Sequence, residues 1–196
     1  MKQLIFTVLV LLFYLNSYGK KLDHTLIINI EGEIGIENST EISEQILEYD
    51  TKKVFTERNV PLRIRINSNG GSIYGALGII DTMTYSDYPI ETECLDVAAS
   101  SAAFILCMGT MGHRYAHKNS RILIHYATIK DKNIDDMSEQ NLKELDSVNK
   151  EMLDLLSKNS YLSKEELKKA IDNANGELWL TADEALEYGL IDKILE

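Results

Sequence analysis

"IETECLDVAASSAAFIL", residues 90–106, decides how the chain is read. Its first part, residues 90–97, has the length and residue types of a short strand. Its second part is an apolar run headed by two adjacent serines, Ser100 and Ser101, and broken at Gly109 and Gly112. This predicts a helix from Ser100 to about Met108. A strand therefore turns into a helix at the serines. The same event occurs upstream. "PLRIRIN", residues 61–67, alternates Leu62, Ile64 and Ile66 against Arg63 and Arg65, a strand with one wetter face. "SNGGS", residues 68–72, reads as a turn, and a helix with Ile73, Leu77, Ile80 and Met83 on its apolar side follows. Such strand-to-helix turns aim backbone N–H groups and a positive helix end at one place, a natural site for an anion.

The rest of the chain extends this alternation. "TLIINIEGEIG", residues 25–35, and "SRILIHY", residues 120–126, read as strands, and "LIDKIL" closes the chain as a short one. A helix is predicted at 38–49, where Asn38 with Glu41 has the form of a capping box. A long amphipathic helix is predicted at about 136–158, with Leu142, Leu145, Met152 and Leu155 on one side. Two more helix starts carry capping boxes, Ser163 with Glu166 and Thr181 with Glu184. Alternating strands and helices place the fold in the α/β class.

Composition limits the function. The 196 residues are 44 % hydrophobic and 26 % charged, enough for one domain with a substantial core. The formal net charge of -11 argues against nucleic acid as a partner, because phosphate binding needs a concentrated basic surface. Residues 1–19 stand apart: Lys2 precedes the apolar stretch "LIFTVLVLLFYL", short for a membrane span and suited to a secretory signal. Ser17 and Gly19 fit the small positions of a cleavage site after Gly19; an uncleaved N-terminal anchor is the other reading. Residues 20–196 are then the folded domain, exported or held on a membrane, and cytoplasmic only if the segment is no signal. Cys94 and Cys107 lie in apolar runs, where a buried free thiol is the ordinary state and a disulfide the alternative in an exported protein. No Cys/His spacing suits a metal, and no cofactor is expected.

Ser100 is the candidate nucleophile. A serine hydroxyl needs a base within hydrogen-bond reach and donors for the oxyanion that forms. The N–H of Ser101 is one donor, and the glycine pair Gly70 and Gly71 offers a second. Of the four histidines, His24 lies near the expected mature N-terminus, and His113 and His117 sit in a polar stretch that reads as solvated. His125 ends an apolar strand, where it can be held rigidly, and is the candidate base.

Three segments carry a family likeness. "INSNGGSIYGALGIIDTM" (66–83), "AASSAAFIL" (98–106) and "RYAHKNSRILIH" (114–125) resemble motifs of the Clp protease proteolytic subunit family, over about residues 25–195. The spacing matches without a gap, 29 residues from Gly71 to Ser100 and 25 from Ser100 to His125. The resemblance implies a ClpP/crotonase-like spiral of ββα units with a long protruding handle helix at 136–158. It implies Ser100 as nucleophile, His125 as general base, and the N–H groups of Gly71 and Ser101 as the oxyanion hole. It also implies Glu177 as the triad acid, with Asp172 as the alternative, because the stretch before "WLTADEALEYGLID" is about three residues longer than usual. Homo-oligomeric rings and peptide or unfolded-protein substrates are implied too. An ATP-driven unfoldase is an expected partner only for a cytoplasmic chain.

The chain departs from the family's pattern at several positions. Asp96-Val97 stands for Gly-Gln, Ser101 for Met, Ala102 for Gly and Lys118 for Pro, and "YATIKDKNIDD" replaces a glycine-rich stretch after the histidine. The leading expectation is a serine endopeptidase. The alternative is a catalytically inactive ring subunit that supports active partners or binds peptides. Acyl-CoA chemistry on the related crotonase fold would need a basic nucleotide patch, which the sequence lacks.

Overall fold

The computed structural model describes residues 26–53, 61–129 and 137–196. The signal-like segment 1–19 and most of the replaced stretch after His125 lie outside them. Seven strands form one sheet: β1 (Ile27–Ile34), β2 (Leu62–Gly71), β3 (Ile90–Ala99), β4 (Arg114–His117), β5 (Arg121–His125), β6 (Glu177–Thr181) and β7 (Lys193–Leu195). The main path runs β1-β2-β3-β4-β7, all parallel. Beyond its contact with β4, β3 continues alongside β5, and β6 lies antiparallel on the far side of β5. The helices are α1 (Ile36–Lys53), α2 (Ile73–Tyr85), α3 (Ser101–Cys107), α4 (Glu139–Lys158), α5 (Lys164–Asn173) and α6 (Ala182–Glu187). The α/β architecture expected from the sequence is present, including the long helix, which begins at Glu139 with Ser138 as its N-cap.

Alternation decides which face of the sheet is buried. Leu62, Ile64 and Ile66 of β2 are fully buried, and Ile28, Ile30 and Ile34 of β1 join them. Onto this face pack α2, through Ala76, Ile79, Ile80 and Met83, and α3, all of whose residues are buried. Each of Phe104, Ile105 and Leu106 withdraws a side chain from water, worth about 1.5–3 kcal/mol apiece. The buried face of α2 is turned slightly from the one expected, with Ile79 inside and Leu77 only partly covered.

The opposite face of the sheet is ionic. Parallel register places Arg63 beside Glu91 and Arg65 beside Glu93. Arg63 donates to Glu91 at 2.8 Å, and Arg65 to Glu93 at 3.2 Å. From the other side His113 Nδ1 meets Glu91 at 3.3 Å and His117 Nε2 meets Glu93 at 2.9 Å. These two histidines are therefore paired, not simply solvated as the sequence suggested, because β4 and the residue before it lie along the acidic strand.

Other local expectations are also corrected. Residues 68–71 are not a free turn; they extend β2, and Gly71 pairs with Ile34. Asn38 does not cap a helix. Its Oδ1 accepts from the Gly35 N–H at 2.7 Å and its Nδ2 donates to Glu33 O at 2.8 Å, so α1 starts two residues earlier. The capping boxes of Ser163 with Glu166 and Thr181 with Glu184 are both formed. Cys94 and Cys107 are free and buried, and burial pushes their thiols up to about 11 and about 12.

One buried charge closes the fold. Arg114 is fully buried. Its guanidinium binds both carboxylate oxygens of Asp192, at 2.9 and 2.6 Å, and donates to Cys107 O at 3.2 Å and Asn159 O at 2.5 Å. The end of α3, the C-cap of α4 and the turn before β7 thus meet on one side chain. Asp192 also accepts the N–H groups of Gly112 and Arg114.

Candidate active site

Ser100 occupies the junction between β3 and α3. Its φ of 56° and ψ of -130° are rarely adopted by a residue with a Cβ. Its own N–H donates to Leu123 O at 2.9 Å, and its carbonyl accepts from Ala103 N–H at 2.9 Å. The side chain makes no capping bond to the helix it precedes. Backbone contacts thus hold the serine in a strained conformation and leave its hydroxyl uncommitted to the cap.

Gly70 shows why glycine stands there. A Cβ on it would lie 2.5 Å from Ala99 O, 2.8 Å from Ser100 Cβ and 3.0 Å from Ser101 N. The two strand-to-helix junctions therefore touch, as their shared design in the sequence suggested. The Gly70 N–H is engaged by Ser68 Oγ at 3.0 Å, which removes it as an oxyanion donor. Ser68, buried, also donates to Gly32 O. Gly71 has a φ of 149°, and a Cβ on it would run into Ile34 O. The Ser101 N–H belongs to the first turn of α3, where amides have no intrahelical acceptor.

Sheet register sets His125 on the strand adjoining Ser100. β3 and β5 pair Ala99 with Leu123, so Ser100 leaves the sheet beside the last two residues of β5, Ile124 and His125. Ile122 and Ile124 are buried in the core, which puts His125 on the other face of the strand. Its Nδ1 lies 2.6 Å from the carbonyl oxygen of Tyr126.

The two candidate acids are placed differently. Glu177 is directly opposite His125 in the antiparallel β5–β6 pair, and opposed residues project to the same face. Asp172, on α5, is occupied elsewhere: it accepts the Tyr126 hydroxyl at 2.9 Å and pairs with Lys168. Those two bonds, Lys168 first, hold its carboxyl below the usual range. Burial and the bond to Asp172 push the Tyr126 phenol up to about 12. Among the described residues neither acid bonds to His125; the carbonyl of Tyr126 does. In the sequence Tyr126 stands out only as the start of the stretch that replaces the glycine-rich segment, because a main-chain acceptor leaves no signature in residue types.

A family model described as Clp protease matches residues 14–196. The chain belongs to the Clp protease family. Three relatives illustrate the likeness. The ATP-dependent Clp protease proteolytic subunit of Porphyromonas gingivalis is 40% identical over 135 residues, 69% of this chain and 60% of that one. The ATP-dependent Clp protease proteolytic subunit 1 of Salinibacter ruber is 35% identical over 135 residues, 69% of this chain and 57% of that one. The subunit of the same name as the first from Bacteroides thetaiotaomicron is 35% identical over 134 residues, 68% and 60% of the two chains. The matched regions thus span about 60% of the length of these Clp relatives.

Proposed function

We propose that this Clp-family chain is a serine-type endopeptidase that cleaves peptides or unfolded proteins through an acyl-enzyme on Ser100. The strained Ser100, presented at a strand-to-helix junction with Gly70 packed against it and His125 on the adjoining strand, is the observation that carries this reading. Such strain is a feature of functional positions. With Nδ1 of His125 directed to a carbonyl, Nδ1 carries the proton and Nε2 is the free base.

The reaction proceeds in two balanced halves. The Ser100 oxygen attacks the peptide carbonyl as His125 Nε2 takes its proton. The carbonyl electron pair becomes an oxyanion, held by the N–H groups of Gly71 and Ser101. Collapse breaks the C–N bond, and His125 returns the proton to the departing amine. Water then attacks the ester by the same route and regenerates Ser100. Glu177 is the acid assigned to support the imidazolium, being opposite His125 on β6; the engagement of Asp172 with Tyr126 and Lys168 disfavours the alternative.

A homo-oligomeric ring is part of the reading, supported by family membership. Residues 1–19 are proposed as a signal peptide or anchor. An exported chain meets no ATP and would act as a self-standing peptidase; a cytoplasmic one would take an ATP-driven partner, in keeping with the "ATP-dependent" of its relatives' names. Sequencing the N-terminus of the chain recovered from cell fractions separates these cases.

A fluorophosphonate probe with peptide mapping tests the chemistry. The expected adduct is on Ser100. Ser100→Ala should lower peptide hydrolysis about a thousandfold or more, while Ser101→Ala, which keeps its N–H, should retain activity. An adduct elsewhere, or undiminished turnover by Ser100→Ala, would refute the reading.

A further inference from the structure

The carbonyl that holds His125 is itself held. Tyr126 C=O and Ala127 N–H are the two ends of one peptide group, which is planar and rigid. The oxygen faces His125 Nδ1 at 2.6 Å. The N–H donates to Asn149 Oδ1 at 2.8 Å. Asn149 lies on α4, beside the residues Val148, Met152 and Leu156 that bury this helix against the core. One peptide plane is therefore clamped between the imidazole and the long helix. The preceding side chain adds a second restraint, since the Tyr126 phenol bonds Asp172 on α5.

We propose that Asn149 is a positioning residue for His125, setting the ring's orientation and tautomer through the Tyr126–Ala127 peptide. The inference rests on the Ser100–His125 reading above. Two physical points support it. A backbone carbonyl can only accept a hydrogen bond, so it places the proton on Nδ1 and leaves Nε2 free to act as the base. The strand ends at His125, so the following peptide has no ladder partner to set its rotation; the Asn149 amide supplies that partner. Remove it, and the carbonyl is free to turn away from Nδ1.

The test uses the full chain with Asn149→Ala, Asn149→Leu and Asn149→Asp. Turnover of a fluorogenic peptide gives kcat and KM, and the rate of fluorophosphonate labelling reports Ser100 directly. The alanine and leucine variants should lose about tenfold or more in kcat and in labelling rate, with KM within about twofold, as expected for a misplaced base. Asn149→Asp keeps an acceptor oxygen for the Ala127 N–H and should recover most of both rates. If the leucine variant does not fold, the alanine variant makes the same comparison. Wild-type rates in the variant that folds, or an aspartate variant as slow as alanine, would overturn the inference. A wild-type chain that is not labelled at Ser100 would instead overturn the catalytic reading and this inference with it.

Discussion

Ser100 is more costly to the fold than a glycine would be. At φ 56° and ψ -130° its Cβ crowds the backbone, a strain of about 1–3 kcal/mol that neighbouring structure must offset. The Leu123 and Ala103 bonds and the wholly buried α3 supply that restraint. Ser100→Gly should therefore raise Tm by a few degrees while abolishing labelling, and Ser100→Ala, which keeps the Cβ, should abolish labelling without the gain. Calorimetry on the three proteins checks this; equal Tm values would mean the conformation carries no strain. At this scale the sequence was most informative. Serine, histidine and the glycine pair stand out in the sequence because their residue types suit the proposed chemistry, and Gly70 is required by an approach that no side chain permits. The fixing of His125 was not legible, since it depends on a main-chain oxygen and on Asn149, 22 positions beyond the amide it binds.

Among the elements, local signals are the more legible, although the box expected at Asn38 is replaced by bonds to Gly35 and Glu33. Capping boxes at Ser163 and Thr181 need only four residues, and both form. β4 and β6 are not announced by the sequence, and are held by pairing with neighbours far along the chain. The same distance hid the ionic face, because the partners of His113 and His117 are 22 and 24 residues away. Glu93 is its centre. Burial pushes its carboxyl up, but the hydrogen bonds from His117 and Arg65 and the charges of Arg65 and Arg63 outweigh burial and hold it below the usual 4.5. A depressed carboxyl stabilises the fold above its unfolded value and loses that contribution as pH falls through the folded one. Tm should accordingly fall below about pH 4.5, in thermal scans from pH 7 to 3. Glu93→Gln should be less stable at pH 7, by about 1 kcal/mol given the one-third exposure of its arginine partners, and should fall less steeply in acid. Parallel curves for the two proteins would place the acid-sensitive group elsewhere.

For the whole molecule, α/β alternation was visible throughout, and the family motifs gave its order. What the sequence did not disclose was the pairing of Arg114 with Asp192, because they are 78 residues apart, in two segments whose contact no local pattern announces. Their bond has a consequence for how the chain opens. A three-residue strand such as β7, paired on one side only, ordinarily opens on its own. Here Asp192, the residue just before β7, is bound to a guanidinium that has no access to water, so an opening that carries Asp192 away leaves a buried charge unpaired, which costs several kcal/mol. Opening of this strand together with Asp192 is thereby coupled to unfolding of the core. In native-state hydrogen exchange, the amides of residues 193–195 should be protected nearly as well as those of β2. Asp192→Asn should release them first, turning the last strand into a separately opening unit.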